Sequence, residues 1–426
     1  MDAFAIRPPQ AAVQARRMEI RPPVEGQAEP SARPVFFESY DGIMQFLTIF
    51  ELQGGGRPQK EICDRMEVSA NFGGICMKAA VWHQAKDIRV EEVQEPKAGK
   101  GQVKIKVKWA GICGSDLHEY AAGPIFVPVH EPHPVSKDMA PIIMGHEFSG
   151  EVVEVGEGVT KVQVGDPVVV EPILRCGECP ACKSGKYNLC EKLGFHGLSG
   201  GGGGFSEYTV VDEVMVHKMP EGLSYEQGAL VEPAAVALHA VRVSKFKAGD
   251  KAAVFGTGPI GLLLIEALKA AGASEIYAIE VSKERLKKAE ELGATAVINP
   301  METDPVETLV KFTGGGVDVA FEVTGVPAVL QQAIDSTAFE GETVIVSIWE
   351  KPANILPNNV VLKERNVKGT IAYRDIFPAV MELMKRGYFQ AEKLVTKRIA
   401  LDQIVTEGFE ALLKEKNQVK ILVKPE

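Results

Sequence analysis

Apolar residues divide most of the chain into two regions with different periodicities. From Met77 to about Glu232 the apolar segments are short, rich in valine and glycine, and interrupted by polar residues, as in QVKIKVKWAG, EFSGEVVEVG and SEYTVV. Short segments of this kind, bounded by turn residues, are typical of strands. This region is therefore predicted to form an irregular β-barrel-like domain.

The pattern changes near Lys251, where apolar strands begin to alternate with helices. The segments AAVFG, EIYAIE, TAVINP, VDVAFEVTG and TVIVSIW are apolar, and helical stretches such as KERLKKAEELGA separate them. This alternation is typical of a parallel sheet with helices on both faces. The prediction is an α/β domain with a doubly wound parallel sheet, followed by the helices DIFPAVMELMKRG and LDQIVTEGFEALLKEK and the closing strand VKILVKP.

The first 76 residues lack both patterns. They are rich in proline, glycine, glutamine and arginine, and the stretch from Pro22 to Pro34 has the composition of a disordered segment. We expect the functional protein to begin near Met77. Residues 1–76 would then be a disordered extension or the product of a wrongly assigned start.

Composition and charge exclude several classes of protein. The chain has 426 residues, 45% of them hydrophobic and 24% charged, as in a globular protein of two or three domains. A net charge of −10 provides no basic field for nucleic acid. No apolar run approaches the ~20 residues that span a bilayer, and the N-terminus does not resemble a signal peptide. We therefore expect a cytoplasmic protein with free thiols.

Four of the seven cysteines lie in the run CGECPACKSGKYNLC, with the spacing C-x2-C-x2-C-x7-C. Thiolates bind Zn²⁺ tetrahedrally, and short loops can supply four sulfurs without a core. An iron–sulfur cluster usually has a shorter last gap and a proline after the fourth cysteine, where this chain has Glu191. Paired disulfides suit small secreted proteins. The spacing favours a structural zinc site at Cys176, Cys179, Cys182 and Cys190.

A second motif, Gly256-x-Gly258-x-x-Gly261, lies between a predicted strand and a predicted helix. This context is typical of a dinucleotide-binding turn, whose glycines let the backbone approach a pyrophosphate at the helix N-terminus. Glu280 would bind both ribose hydroxyls and repel a 2′-phosphate, which favours NAD over NADP, and Arg285 weakens this preference. The alternative is a glycine turn in an α/β domain that binds no nucleotide.

Further residues that could bind a metal are scattered: Cys113 in AGICGSDLHEY, His146 and Glu147 in MGHEFSGE, and Glu232 in ALVEPAAVALH. Each one alone has an ordinary interpretation. A single cysteine is often a small core residue, and a glutamate before proline can be a charge at a helix N-terminus. Beside a zinc cluster and a nucleotide fold, they suggest a Cys/His/Glu site, because catalytic zinc keeps three protein ligands and one open position.

The motifs GHE, the four-cysteine run and GTGPIG, in this order, resemble the zinc-dependent medium-chain dehydrogenase/reductase superfamily. The resemblance covers residues 77–426. Within the superfamily, APIIMGHEFSGEVVEVGEGV and VFGTGPIGLLLIEALKAAGA look most like the (R,R)-2,3-butanediol dehydrogenase branch. It implies a GroES-like irregular β-barrel catalytic domain at 77–231, completed by 368–426, and a Rossmann NAD-binding domain at 232–367.

The resemblance also implies roles for individual residues. Cys113, His146 and Glu232 would bind a catalytic zinc, and Glu147 could bind the metal or stand off it. Asp116 would orient the ligand histidine.

The same resemblance implies a proton relay and a cofactor contact. Ser115 would take the substrate proton, and His118 would pass it on. NAD would contact the glycine turn, including Pro259 and Ile260. Each subunit would hold two zinc ions, one catalytic and one structural, and subunits would pair through 354–370 as a homodimer or homotetramer.

The activity implied is the interconversion of a vicinal diol and an acyloin with NAD(H), such as 2,3-butanediol and acetoin, with reduction of diacetyl. Sorbitol or another polyol dehydrogenase and threonine 3-dehydrogenase are alternatives that the pocket side chains decide. The candidates for that pocket are Tyr120, Phe126, Phe195, His196 and Trp349. A nucleotide-binding regulatory protein without chemistry is a further alternative, against which the presence of Cys113, Ser115 and His146 argues.

Overall fold

The computed structural model describes residues 75–349, 351–415 and 417–426. The extension expected at residues 1–76 lies outside them, apart from its last two residues. No helix within the described ranges is long and apolar enough to cross a membrane.

Short strands build the first sheet system, as the sequence pattern predicts. They are β1 (Cys76–Gln84), β2 (Asp87–Gln94), β3 (Gln102–Gly111), β4 (Ile142–Ile143), β5 (Glu147–Val155), β6 (Pro167–Val170), β7 (Ile173–Leu174), β8 (Gly194–Phe195), β9 (Tyr208–Asp212) and β10 (Val216–Lys218). The sheet of order β10-β6-β5-β3 also pairs β3 with β9, and smaller sheets have the orders β2-β1-β4 and β7-β8. All these pairs are antiparallel.

The second sheet is parallel and doubly wound. Its strands are β11 (Lys251–Phe255), β12 (Glu275–Ile279), β13 (Ala296–Ile298), β14 (Val317–Glu322), β15 (Thr337–Ile345) and β16 (Asn366–Gly369). Their order is β13-β12-β11-β14-β15-β16, which is the Rossmann order. The order reverses between β11 and β14, and ligands of such sheets bind outside the carboxyl ends of the strands at this point.

The chain then returns to the first sheet system through β17 (Val395–Ala400) and β18 (Lys420–Lys424). Strand β18 pairs with β3, so the last residues of the chain complete the barrel that the early strands begin. This confirms the fold predicted from the sequence, an irregular barrel with a doubly wound α/β domain.

Helices connect and cover the strands. They are α1 (Gly114–Ala122), α2 (Pro180–Lys183), α3 (Tyr225–Gly228), α4 (Val231–Val243), α5 (Pro259–Ala270), α6 (Lys283–Leu292), α7 (Pro305–Thr313), α8 (Pro327–Asp335), α9 (Pro357–Val361), α10 (Phe377–Lys385) and α11 (Glu410–Lys414). Their ends follow ordinary capping chemistry. For example, Ser282 caps α6 at its N-terminus and Gly293, with φ of 117°, ends it.

The predicted helix LDQIVTEGFEALLKEK is less regular than expected. Its middle, Ile404–Phe409, is a π-helix, and only Glu410–Lys414 is α-helical. A Cβ on Gly408 would lie 2.7 Å from Cδ1 of Ile112 and 3.1 Å from Cδ1 of Ile399. The wide turn therefore brings a bare backbone against Ile112, which follows β3, and against β17.

One hydrophobic cluster joins the barrel to the helices of the second sheet, and it includes Phe148, Leu230 and Leu262. Because this cluster continues across the expected domain limits, the limits at residues 231 and 367 stay a prediction. Through this cluster α4 packs on α5 and contacts β5.

Candidate functional site

The pairing of β3 with β5 brings the scattered candidate ligands together. Gly111 lies opposite Glu147 in the register, so Cys113, two residues after the end of β3, lies beside His146. The Cys113 sulfur, a His146 ring nitrogen and a Glu147 carboxylate oxygen all lie within 4.8 Å of one another. A thiolate, an imidazole and a carboxylate at this spacing form a donor set that suits Zn²⁺.

Asp116 orients two of these residues from the first turn of α1. Its Oδ2 accepts the backbone N–H of Cys113 at 2.9 Å. Its Oδ1 lies 3.3 Å from Nδ1 of His146, and Asp116 is fully buried. This leaves Nε2 of His146 facing the site, where it lies 3.2 Å from Oγ of Ser115. A carboxylate behind a histidine is the usual way of orienting a metal ligand.

Glu147 has a partner that the sequence did not reveal. Nζ of Lys420, on β18, lies 2.9 and 2.7 Å from the two carboxylate oxygens of Glu147 and donates to the carbonyl of Ile112 at 3.1 Å. The two side chains are 2% and 0% exposed. Burial lowers the pKa of Lys420, but the charge of Glu147 outweighs this effect and raises it. Glu147 is therefore held as an ion pair in this structure.

Glu232 lies near this cluster but is not one of its three close donors. It is buried in the first turn of α4, and its Oε1 accepts the Tyr373 hydroxyl at 2.7 Å. Burial raises the pKa of Glu232 to about 7, against the opposing charge of His146. Tyr373, which is 0% exposed, is a second contact that the sequence did not reveal.

The electrostatics of the cluster favour a bound cation. Burial and then repulsion from Glu147 raise the pKa of the Cys113 thiol. Burial opposes the charge on His146, but Asp116 and Cys113 raise its pKa well above the usual value. Burial thus favours the neutral thiol of Cys113, and a bound metal ion would favour its thiolate.

A run of five glycines, residues 200–204, supports the backbone around His146. The N–H of Gly204 donates to the carbonyl of Gly145 at 2.7 Å. A Cβ on Gly197 would lie 2.1 Å from the carbonyl oxygen of Gly145, and one on Gly203 would lie 2.2 Å from that of Met144. These glycines permit a close backbone approach that fixes the loop carrying His146. The run of five glycines is a feature from which the sequence could have revealed this contact.

The remaining predicted residues are not among the three close donors of the cluster. His118 lies half-buried on α1, outside the three close donors. Among the predicted pocket residues, the Tyr120 hydroxyl donates to Glu410 at 2.5 Å, and buried His196 contacts Oγ1 of Thr209 at 2.8 Å.

Of the other three pocket candidates, two pack against each other and the third has a buried polar group. The rings of Phe126 and Phe195 pack edge to face, with centroids 6.1 Å apart. The indole N–H of Trp349 is buried and has no hydrogen-bond partner among the described residues. It is the one pocket candidate whose polar group is left available.

The four-cysteine lobe, residues 176–190, forms a separate cluster whose four sulfurs lie within 4.8 Å of one another. All four cysteines are free thiols, as a metal site requires. The N–H of Cys182 donates to the Cys179 sulfur at 3.5 Å. Backbone N–H groups of Cys182 and Glu191 lower the pKa of Cys179 to about 6. Four sulfurs complete a tetrahedral zinc site and leave no open position.

The glycine turn has the geometry of a dinucleotide site. Gly256 has a φ of 96°, and a Cβ on Gly261 would lie 1.9 Å from the carbonyl oxygen of Gly256. Gly258 borders open space, with no atom within 4 Å of its Cβ position. Pro259 and Ile260 begin α5 directly behind this space. The turn is thus tight on its inner side and open where a pyrophosphate would bind.

Glu280 follows β12 and contacts the same turn. Its Oε2 accepts the N–H of Thr257 at 3.0 Å, and Oε1 accepts the N–H groups of Val281 and Ser282 at 2.9 and 3.1 Å. The Arg285 guanidinium lies 3.9 Å from Glu280. The Glu280 carboxylate is thus fixed against the glycine turn, and the guanidinium of Arg285 lies near it.

Two family descriptions match the chain: "Alcohol dehydrogenase GroES-like domain" over residues 99–221 and "Zinc-binding dehydrogenase" over residues 259–386. The chain is 68% identical to the (R,R)-butanediol dehydrogenase of Bacillus subtilis (strain 168) over 350 residues, which are 82% of this chain and 100% of that protein. It is 38% identical to the sorbitol dehydrogenase of the same organism over 354 residues, 82% of this chain and 97% of that one.

A solved structure of a butanediol dehydrogenase also matches the chain. The crystal structure of 2R,3R-butanediol dehydrogenase from Bacillus subtilis matches with a TM-score of 0.79 and 68% identity, over 82% of this chain and all of that one. Fold and site therefore define an alcohol-dehydrogenase-type oxidoreductase. The chain belongs to the zinc-dependent medium-chain alcohol dehydrogenase family, whose cofactors are zinc and a nicotinamide dinucleotide.

Proposed function

We propose that this protein interconverts (R,R)-2,3-butanediol and acetoin with NAD(H), and that it also reduces diacetyl. The observation that carries this proposal is the 68% identity to a butanediol dehydrogenase over that relative's whole length, against 38% to a sorbitol dehydrogenase. The approach of Cys113 to His146, with the buried carboxylates of Glu147 and Glu232 near them, supports it, because a thiolate, an imidazole and a carboxylate suit a catalytic zinc.

In this proposal Cys113, His146 and Glu232 would hold the catalytic zinc, and Glu147 would either bind the metal or stand off it, paired with Lys420. When bound, zinc would make a substrate hydroxyl acidic enough to lose its proton, and NAD would accept the hydride from the adjoining carbon. Ser115 accepts the proton, because its Oγ lies 3.2 Å from Nε2 of the ligand histidine. Asp116 keeps that histidine in one orientation.

The charges of the ligands support a diol as the substrate. Cys113 and Glu232 would each bring a negative charge, so the site activates a hydroxyl less strongly than one built from neutral ligands. A second oxygen on the neighbouring carbon of a diol would compensate for this weaker activation. His118 then passes the proton from Ser115 to solvent.

NAD is proposed in preference to NADP. The Glu280 carboxylate would accept hydrogen bonds from the ribose hydroxyls and repel a 2′-phosphate, while Arg285 weakens this discrimination. A second zinc, held by the four-cysteine lobe, would have a structural role, giving two ions per subunit.

The assembly is proposed to be a homodimer or homotetramer that pairs through residues 354–370. Strand β16 is the edge of its sheet, and Val361, Leu362 and Phe339 near it are 67%, 78% and 74% exposed. An unpaired edge with exposed apolar neighbours favours association. The cysteines of the described residues are free thiols, which supports a cytoplasmic location.

A substrate panel tests the proposal. The stereoisomers of 2,3-butanediol, acetoin, diacetyl, sorbitol and threonine would each be assayed with NAD(H) and NADP(H). We expect the highest kcat/KM for (R,R)-2,3-butanediol with NAD. Higher efficiency with sorbitol or threonine would overturn the substrate assignment and leave the family unchanged.

A further inference from the structure

A short turn of the four-cysteine lobe holds a distant segment of the chain, residues 371–375. The turn is the 3-10 helix Tyr187–Leu189, between the third and fourth cysteines. Nδ2 of Asn188 donates to the carbonyl of Ile371 at 2.9 Å, and its Oδ1 accepts Nη1 of Arg374 at 2.9 Å. The hydroxyl oxygen of Tyr187 accepts the N–H of Asp375 at 2.6 Å.

These contacts are anchored on the lobe side. Asn188 is 2% exposed, so its two hydrogen bonds are not replaced easily by water. The Tyr187 hydroxyl donates to buried Glu171 at 2.7 Å, and the Arg175 guanidinium lies 4.1 Å from the Tyr187 ring centroid. The N–H of Cys190 donates to the carbonyl of Tyr187 at 3.1 Å, which links the turn to the fourth cysteine.

The segment that the turn holds carries Tyr373. The Tyr373 ring packs against Phe377, with centroids 5.2 Å apart, and its hydroxyl donates to Glu232 at 2.7 Å. Half-buried hydrogen bonds thus hold the residues on either side of Tyr373 to the four-cysteine lobe, and a buried hydrogen bond joins Tyr373 to Glu232. The lobe, which has no open metal position of its own, is thereby connected to the candidate catalytic centre.

We propose that Tyr187 and Asn188 are positioning residues for catalysis: through residues 371–375, they hold Tyr373 where its hydroxyl orients the Glu232 carboxylate. This inference rests on the proposed function, in which Glu232 is a ligand of the catalytic zinc. Groups that hydrogen-bond to a metal ligand fix its orientation, and losing one typically costs about 10- to 100-fold in metal affinity or activity. The four-cysteine lobe thus contributes to catalysis as well as to stability.

A double-mutant cycle tests the inference. Asn188→Ala, Tyr373→Phe and the double variant would be made in the full chain. Leu189→Ala is the matched control, because Leu189 lies in the same turn and is 48% exposed. The first readout is the affinity of the catalytic site for Zn²⁺ and Co²⁺, measured by competition with a chelator and by the cobalt absorption bands. The second is kcat/KM for 2,3-butanediol.

We expect each single variant to lose about tenfold or more in catalytic-site metal affinity, and the double variant to lose no more than Tyr373→Phe alone. Such non-additivity shows that Asn188 acts through Tyr373. The thiolate–cobalt bands of the lobe should stay unchanged in all variants, as should both readouts in Leu189→Ala. Tyr187→Phe, which removes the acceptor for Asp375, serves as a second lobe variant if Asn188→Ala folds poorly.

The inference is overturned if the lobe variant leaves metal affinity unchanged, or lowers it by the same factor with and without Tyr373→Phe. If Asn188 has a purely structural role, its substitution should lower metal affinity by the same factor with and without Tyr373→Phe. The falls in Tm of the two single variants should then add in the double variant. If the wild-type protein does not oxidise butanediol but the metal-affinity cycle is non-additive, the substrate proposal fails and the positioning role stands.

Discussion

Individual carboxylates in the site differ because their partners differ. Asp116 faces His146 and Cys113, Glu147 is paired with a buried lysine, and Glu232 is bonded to a tyrosine. A carboxylate that binds a metal needs an oxygen free for it. The Tyr373 hydroxyl contacts Oε1 of Glu232, so Oε2 can bind a metal while the hydrogen bond to Tyr373 is kept, whereas Lys420 contacts both oxygens of Glu147.

Cys113→Ser should lower kcat/KM by at least about 10³-fold, because a neutral hydroxyl replaces the thiolate in the candidate ligand set. Binding of NADH should be unchanged, since the glycine turn does not contact this residue. Enzyme kinetics and NADH fluorescence measure the two effects. Retained turnover with the catalytic metal still bound would refute the role of Cys113 as a ligand.

Lys420→Met should lower the free energy of unfolding by about 3–5 kcal/mol, because it leaves the buried carboxylate of Glu147 without a cation. Adding Glu147→Gln should restore part of this loss, since no buried charge then remains. Denaturant unfolding measures both values. Lys424→Met on the same strand is the control, because Lys424 is exposed. Equal losses in the two lysine variants would contradict the ion-pair argument.

At the scale of elements, strand pairing brings the parts of the candidate catalytic site together. The register of β3 on β5 brings Cys113 to His146, and the pairing of β18 with β3 brings Lys420 to Glu147. The four-cysteine lobe differs, because only fifteen residues of chain supply its four ligands. The lobe therefore depends on its metal more than on a hydrophobic core.

Cys179→Ser should accordingly lower Tm by about 5 °C or more, because the lobe loses one of its four candidate zinc ligands. Differential scanning calorimetry and metal analysis check this, with a fall of one zinc per subunit. The matched control is Cys76→Ser, since Cys76 is an exposed cysteine outside both clusters. An unchanged Tm together with full zinc content would exclude Cys179 as a ligand of a structural zinc.

For the whole molecule, the sequence predicts what is local and misses what long-range packing creates. The four cysteines and the glycine turn were recognisable because their residues are close in sequence. Cys113 and His146 were recognisable only beside those two motifs, since strand pairing brings them together. Lys420 gave no signal, because it lies 273 residues from Glu147 and a lysine in a strand is usually exposed. The same holds for Tyr373, which is 141 residues from Glu232.

The unpaired edge of the parallel sheet gives a prediction about assembly. Strand β16 pairs only with β15 among the described strands, and Leu362 beside it is 78% exposed. If subunits pair there, Leu362→Glu places a charge in an apolar interface and should convert the assembly to smaller species. Light scattering coupled to size-exclusion chromatography measures the mass.

Met301→Glu is the matched control for this variant. Met301 is 79% exposed, but it follows β13 at the opposite edge of the sheet, so the same substitution there should leave the mass unchanged. Because Leu362 is already exposed to solvent in a single subunit, its substitution costs little intrinsic stability. A lower mass then reports on the interface itself. Unchanged mass in Leu362→Glu, or equal dissociation of both variants, would place the subunit contact elsewhere.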